Sequence, residues 1–338
     1  MSSAPSVLDI APDARWLAQA LDPATAIVRL IEMSPEAYRA ASFLDDRMLQ
    51  QPVNARTVAW SEVAAAVPAD ARHDARWIFH IGHVGSTLIA RLLGELDGVL
   101  AVREPRLLRD CMAIPPVRRR AMMPVVRALF SRTFAADQAA LVKATSFVSE
   151  LAAELVPAGE RALFLTVDPR SYIATILAGE NSLKELKARA GGRLRRLAGR
   201  VQGLAGTGNS SAHLAAAAWA CEMTTLEAAA DAMTDRRILW GNFDRQLGDM
   251  EGALAELAEF FGFKAPAERV QAIARGPLMS RYSKALEYDY SPSLRRQLID
   301  RQLAAQGPAI DDALAMLERS AQESPLLARA LARNGAER

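Results

Sequence analysis

Between positions 82 and 87 the chain reads Gly-His-Val-Gly-Ser-Thr, at the point where an apolar run gives way to a helical pattern. The glycines allow a sharp turn that brings backbone N–H groups close to a bound anion. The helix that follows adds unpaired N–H donors and the positive end of its dipole. Ser86 and Thr87 can cap that helix or donate hydroxyls to phosphate oxygens. A plain strand–turn–helix with a hydroxyl cap is the other reading of the same residues. The loop is not a Walker A sequence, because no lysine precedes Ser86 and fewer residues separate the two glycines. That disfavours an ATP-driven kinase of the ordinary type.

Other groups stand where strands should end. His83 lies inside the loop and carries charge if protonated near neutral pH; the alternative is a turn histidine bonded to backbone. Glu104 closes a second strand just before Pro105, flanked by Arg103 and Arg106. It can act as a general base, or simply sit at a helix start where the dipole favours it. Lys143 closes a third strand and can bind an anion, or snorkel at an edge. Arg170 follows a fourth strand and opens a helix, where its charge can reach an anion. His80 points the opposite way from Ile81 within its strand, as a core or supporting histidine, and no set of His and Cys follows to make a zinc site with His83. Positions 184–203 hold Lys184, Lys187, Arg189, Arg193, Arg195, Arg196 and Arg200. They read as a solvated helix face, or as a lid made movable by the Gly/Ser-rich stretch 203–211.

The elements that must position these groups alternate. Short apolar runs at 77–82, 98–103, 139–143, 161–167 and 236–240 read as strands. Helical patterns cover 86–96, 116–134, 146–155, 172–202 (with a break at Gly191-Gly192), 212–234, 250–262 and the chain from 292. Strands alternating with helices imply a helix-rich α/β fold: a three-layer α/β/α arrangement with a parallel sheet and a P-loop-like strand–loop–helix. Sites in such sheets lie at the carboxyl ends of the strands. Residues 76–305 are expected to form this domain. Residues 1–75 read as an N-terminal leader of helical pieces at 13–21, 35–41 and 61–66 packed on the core, and 306–338 as a helical tail.

Bulk properties narrow the function. The 338 residues are 51% hydrophobic and 24% charged, with a net charge of +2. That balance gives no general affinity for nucleic acid. Two cysteines, Cys111 and Cys221, fit a reducing compartment. No secretory leader or membrane-length apolar run is visible, so a soluble, cytoplasmic protein is expected.

The run GHVGSTLIARLL followed by LAVREPRLLRD resembles the sulfotransferase superfamily, closest to bacterial sulfotransferase-like proteins. In that family the loop has the form [KR]-S-G-[ST]-T. Its basic residue falls on His83, its Ser on Val84, its Gly on Gly85 and its hydroxyls on Ser86 and Thr87. The segment RALFLTVDPRSYIAT is similar to the family's strand-RDPRD-helix, whose first Arg falls on Val167 and whose later Ser falls on Thr175. LWGNFDRQLGDMEGALAELAEFFGF resembles a further structural segment. MSRYSKALEYDY looks like the basic stretch that closes over the nucleotide, with Arg281 and Lys284 beside Tyr282 and Tyr288.

The resemblance implies transfer of a sulfuryl group from 3′-phosphoadenosine 5′-phosphosulfate (PAPS), leaving PAP, to a hydroxyl or amine of a small molecule, glycan or peptide. It assigns the 5′-phosphosulfate to Gly82, His83, Val84, Gly85, Ser86 and Thr87, and the 3′-phosphate to Arg170, Thr175, Arg281 and Lys284. His83 or Lys143 neutralises the leaving oxygen and Glu104 takes the acceptor proton, with no metal, nucleic-acid or membrane partner. A phosphotransferase using ATP and Mg²⁺, with Asp168 as metal ligand, and a catalytically silent nucleotide-binding relative are the alternatives.

Overall fold

The computed structural model describes residues 13–202, 204, 210–281 and 291–335. Its first element corrects the sequence reading. Where a helix is expected at 13–21, the chain forms strand β1 (Trp16–Asp22), paired antiparallel with β2 (Ile27–Glu32), which pairs with β3 (Ala55–Ala59). The hairpin turns at Asp22, whose carboxylate accepts from Ala24 N, Thr25 N and Thr25 Oγ1. This side-chain mimic of a turn is a common use of Asp. The helices Pro35–Ala40 and Trp60–Ala66 form as the pattern indicates.

The main sheet has five strands: β4 (Arg76–His80), β5 (Val99–Arg103), β6 (Ala139–Lys143), β7 (Arg161–Thr166) and β8 (Arg237–Asn242). They run parallel in the order β5-β6-β4-β7-β8. The expected alternation is therefore present, and the fold is helix-rich α/β with a parallel sheet. The central strands are buried on both faces, as unbroken apolar runs require. Aromatic rings cross the sheet in register. Phe79 lies opposite Phe164, and Phe164 opposite Trp240, with edge-on centroids 5.9 and 5.1 Å apart. Such pairs contribute about 0.5–1.5 kcal/mol each beyond burial.

Between β7 and β8 the helix breaks at Gly179 and not at Gly191-Gly192, giving Pro169–Ala178 and Glu180–Ala198. The second packs along Ser211–Ala232, and that tertiary support carries the two glycines through. The last long helix, Pro292–Ala321, lies against Pro169–Ala178. It kinks at Gln306, two residues ahead of Pro308, whose ring cannot continue a regular helix. A final helix spans Pro325–Gly335. Among the described residues no helix is long and apolar enough to cross a membrane.

Candidate functional site

At the carboxyl ends of β4, β5 and β6 lies a cavity of about 680 Å³. All six residues of the 82–87 loop line it, as do Glu104, Lys143 and Thr175. The loop turns through left-handed backbone at Gly82 (φ +83°), His83 (+55°) and Gly85 (+64°), and the helix Ser86–Leu93 opens directly behind it. Gly85 is required twice over: its φ suits glycine, and a Cβ there would meet the Phe243 ring at 2.0 Å. Three non-glycine residues among those described have positive φ. One is Ala26 in the hairpin turn; the others are His83 and Glu104 (+53°), both in this cavity. Strain of this kind costs about 1–3 kcal/mol per residue and gathers where function holds it.

The loop is braced from beneath. His80 is buried, accepts from Gly82 N at Nδ1 (3.0 Å), and meets Ala144 O at Nε2 (2.9 Å). It is a supporting histidine, with the proton on Nε2. Thr87 is also buried, and its Oγ1 has no hydrogen-bond partner among the described residues. An unsatisfied buried hydroxyl costs about 1–3 kcal/mol; of the buried side-chain atoms without a partner among the described residues, Thr87 Oγ1 is the one whose residue lines the cavity.

Beside the loop, Lys143 is fully buried and its Nζ pairs with Glu104 Oε1. The partners are placed by register: Arg103 lies opposite Lys143, and Glu104 N donates to Lys143 O at 2.7 Å. β6 stands between β5 and β4, so Lys143 sits nearer the loop and Glu104 beyond it. Glu104 Oε2 meets Arg47 Nη2 at 3.5 Å. The His83 ring reaches Ser182 Oγ at 3.4 Å and Glu185 at 3.7 Å.

Other sequence candidates fall elsewhere. Arg170 does not line the cavity; its guanidinium binds Asp311 at 2.7 Å. Arg281 is exposed and outside the lining. Lys284, with Tyr282 and Tyr288, lies outside the described residues. Asp168 caps its own helix by accepting from Ser171 N at 2.9 Å. Burial raises its carboxyl above the ordinary range, outweighing the Ser171 bond, and the nearby Asp244 adds to the rise. In the basic segment, Arg193 and Arg196 pair with the buried Glu222, and Arg196 and Arg200 with Glu150. These three of the seven cations make an inter-helix clamp, while Lys184, Lys187 and Arg195 are exposed as a solvated face requires and Arg189 and Arg193 line the cavity.

Several cavity residues carry no local signal in the sequence. Arg295, on the last long helix, binds Asp244 at 2.9 Å and Thr175 Oγ1 at 3.3 Å. From the N-terminal region come Phe43, Asp45 and Arg47, and from Arg106–Cys111 comes Arg109. Burial works to raise the Asp45 carboxyl, but its hydrogen bonds from Arg47 prevail and the net shift is downward. Two buried guanidiniums hold this wall in place. Arg103 donates to Tyr38 O and Ala41 O, and Arg91 to Ala40 O and Ser42 Oγ. Burial pushes Arg103 down to about 9, still cationic at neutral pH.

Fold and site together define a parallel α/β protein with a glycine-turned loop facing a buried lysine–glutamate pair. No family model matches the sequence, and no curated protein does. Among solved structures, the chain is similar to the sulfotransferase domain from the curacin biosynthetic pathway, at 12% identity and TM-score 0.41, over 68% of this chain and 89% of that one. It is similar to mouse sulfotransferase SULT7A1 complexed with PAP, at 11% and 0.40, over 77% and 89%. It is also similar to the sulfotransferase domain of the Synechococcus PCC 7002 olefin synthase, at 15% and 0.39, over 68% and 86%.

Proposed function

We propose that this chain is a sulfotransferase-like enzyme that moves a sulfuryl group from PAPS to a hydroxyl or amine. The observation that carries the reading is the unpartnered Thr87 hydroxyl, buried at the mouth of a helix, in a strained glycine loop beside a lysine–glutamate pair. Cavity and donor set fit a nucleotide phosphosulfate. The backbone N–H groups of 83–87 and the Ser86 and Thr87 hydroxyls would hold its 5′ end. Arg295, held against Thr175, would hold the 3′-phosphate in the place that Arg170 leaves. When bound, PAPS supplies an activated sulfuryl group, whose bond to phosphate oxygen breaks as the acceptor attacks sulfur.

The chain's part is to orient, neutralise and take a proton. Lys143 stands between the loop and Glu104, so its ammonium can offset charge gathering on the leaving phosphate. Glu104 Oε1 is held by Lys143, which leaves Oε2, facing Arg47, to take the acceptor's proton. His83, whose ring nitrogens face Ser182 and Glu185, would lend the phosphosulfate a positive charge when protonated. The left-handed backbone at His83 and Glu104 aims both groups into the cavity in advance.

Thermal unfolding with PAP, beside ATP and Mg²⁺, tests the reading. A ligand at a hundred times its Kd stabilises by about 2.7 kcal/mol, a rise of a few degrees for a chain this long. The expected result is a rise with PAP alone that Arg295→Ala weakens. A rise with Mg-ATP alone would overturn it.

A further inference from the structure

The corner of the cavity beyond Glu104 holds more hydrogen-bonding capacity than the protein uses. Arg47 grips the Asp45 carboxylate with two bonds, Nε to Oδ1 at 2.8 Å and Nη2 to Oδ2 at 2.7 Å, and lies over the Phe43 ring at 3.3 Å. Arg109 approaches the same carboxylate from a separate helix, Nη1 to Oδ2 at 3.6 Å. Arg47, Arg109 and Lys143 thus share two carboxylates, since Lys143 pairs with Glu104 and Arg47 Nη2 also meets Glu104 at 3.5 Å. Arg47 Nη1 and Arg109 Nε and Nη2 have no partner among the described residues. The Arg47 side chain is 50% exposed and that of Arg109 27%. Both line the cavity. A guanidinium recognises planar oxyanions through paired N–H donors, and these two are pre-positioned by Asp45.

We propose that Arg47 and Arg109 form a recognition site for an oxyanion carried by the acceptor, a carboxylate or a phosphate group, next to the hydroxyl or amine that Glu104 deprotonates. This rests on the sulfotransferase reading for the acceptor's role, while the anion site itself is a property of the side chains. Position separates it from the donor's phosphates. The donor groups gather at 82–87 and Arg295, whereas Arg47 touches Glu104, on the far side of Lys143. Asp45 plays a double part: it aligns the two arginines and competes with the incoming anion for them.

Calorimetric titration of the PAP-saturated protein tests this, with para-hydroxybenzoate, para-hydroxyphenyl phosphate and the neutral para-hydroxybenzyl alcohol as probes. At least one anionic probe is expected to bind about tenfold more tightly than the alcohol, a difference of about 1.4 kcal/mol, and the two anions separate carboxylate from phosphate. Arg47→Gln with Arg109→Gln should erase the preference while PAP affinity stays at the wild-type level. Asp45→Asn keeps the helix cap but releases both arginines, and should tighten anion binding several-fold. A purely structural ion pair would not produce that opposite sign. Equal binding of all three probes, or a preference untouched by the double variant, or weaker anion binding in Asp45→Asn, would overturn the proposal. Should PAP fail to bind, the same titration on the protein alone still reads the anion preference, so the two failures are distinct.

Discussion

The helix Glu180–Ala198 and the loop at 82–87 are opposite ways of handling charge. The helix is rich in cations, yet Arg193, Arg196 and the adjoining Arg200 are bound to Glu150 and Glu222 on packed neighbours. The loop has one titratable side chain and mostly backbone donors, yet it contains a buried hydroxyl with no partner and two left-handed glycines. In the clamp, then, charge density serves structure, while the other end of the same helix faces the cavity through Glu185 and Arg189; in the loop, hydrogen-bonding capacity is left unused at the cavity wall. A basic cluster in sequence is satisfied by whatever acids the fold brings to it; a strained turn with spare donors has no reason to persist without a ligand.

Substitutions can break this contrast at either end. The largest effect is expected in the clamp. Glu222→Gln leaves Arg193 buried without its counter-charge, and losing one partner of a buried pair costs about 3–5 kcal/mol. Urea unfolding should show that loss, while PAP affinity of the folded fraction stays unchanged; a large fall in PAP affinity would make the clamp part of the site. Next comes Gly85→Ala, which adds left-handed strain and forces Phe243 aside. It should cost about 2–4 kcal/mol and also abolish PAP binding.

Thr87→Val separates the two regions more sharply. It removes a buried hydroxyl that has no partner, so stability without ligand should hold or rise by about 1 kcal/mol, while PAP binding weakens about tenfold. Loss of stability without loss of binding would show that the hydroxyl serves the core. The smallest effect concerns Asp45. Its carboxyl is held below the ordinary value, so its stabilisation is fully present above that value, about pH 4, and fades as pH falls through the lowered one. The advantage of wild type over Arg47→Gln should follow that course, at about 1 kcal/mol or less for so exposed an arginine, as measured by unfolding across pH.

The strand–helix alternation was legible because each parallel strand is a short apolar run with a helical pattern behind it. The loop was legible because its chemistry is contiguous. β1 was not: Trp-Leu-Ala-Gln-Ala-Leu-Asp has good helix formers, and its strand is imposed by pairing with β2. Trp16 to Leu21 are all buried, so no alternation shows. The readable clue was Asp22-Pro23 followed by the β-branched Ile27 and Val28. Arg47, Arg109 and Arg295 stood outside any motif because the fold, not the chain, assembles them. Arg170 sat at a strand end as expected, but the last long helix offers it Asp311.

A crystal structure of the PAP complex tests the cradle most directly. The 5′-phosphate should lie within about 3 Å of Thr87 Oγ1, under the N–H groups of 83–87, with the adenosine 3′-phosphate at Arg295. A phosphate bound along Glu180–Ala198, with Thr87 Oγ1 still unpartnered, would contradict it.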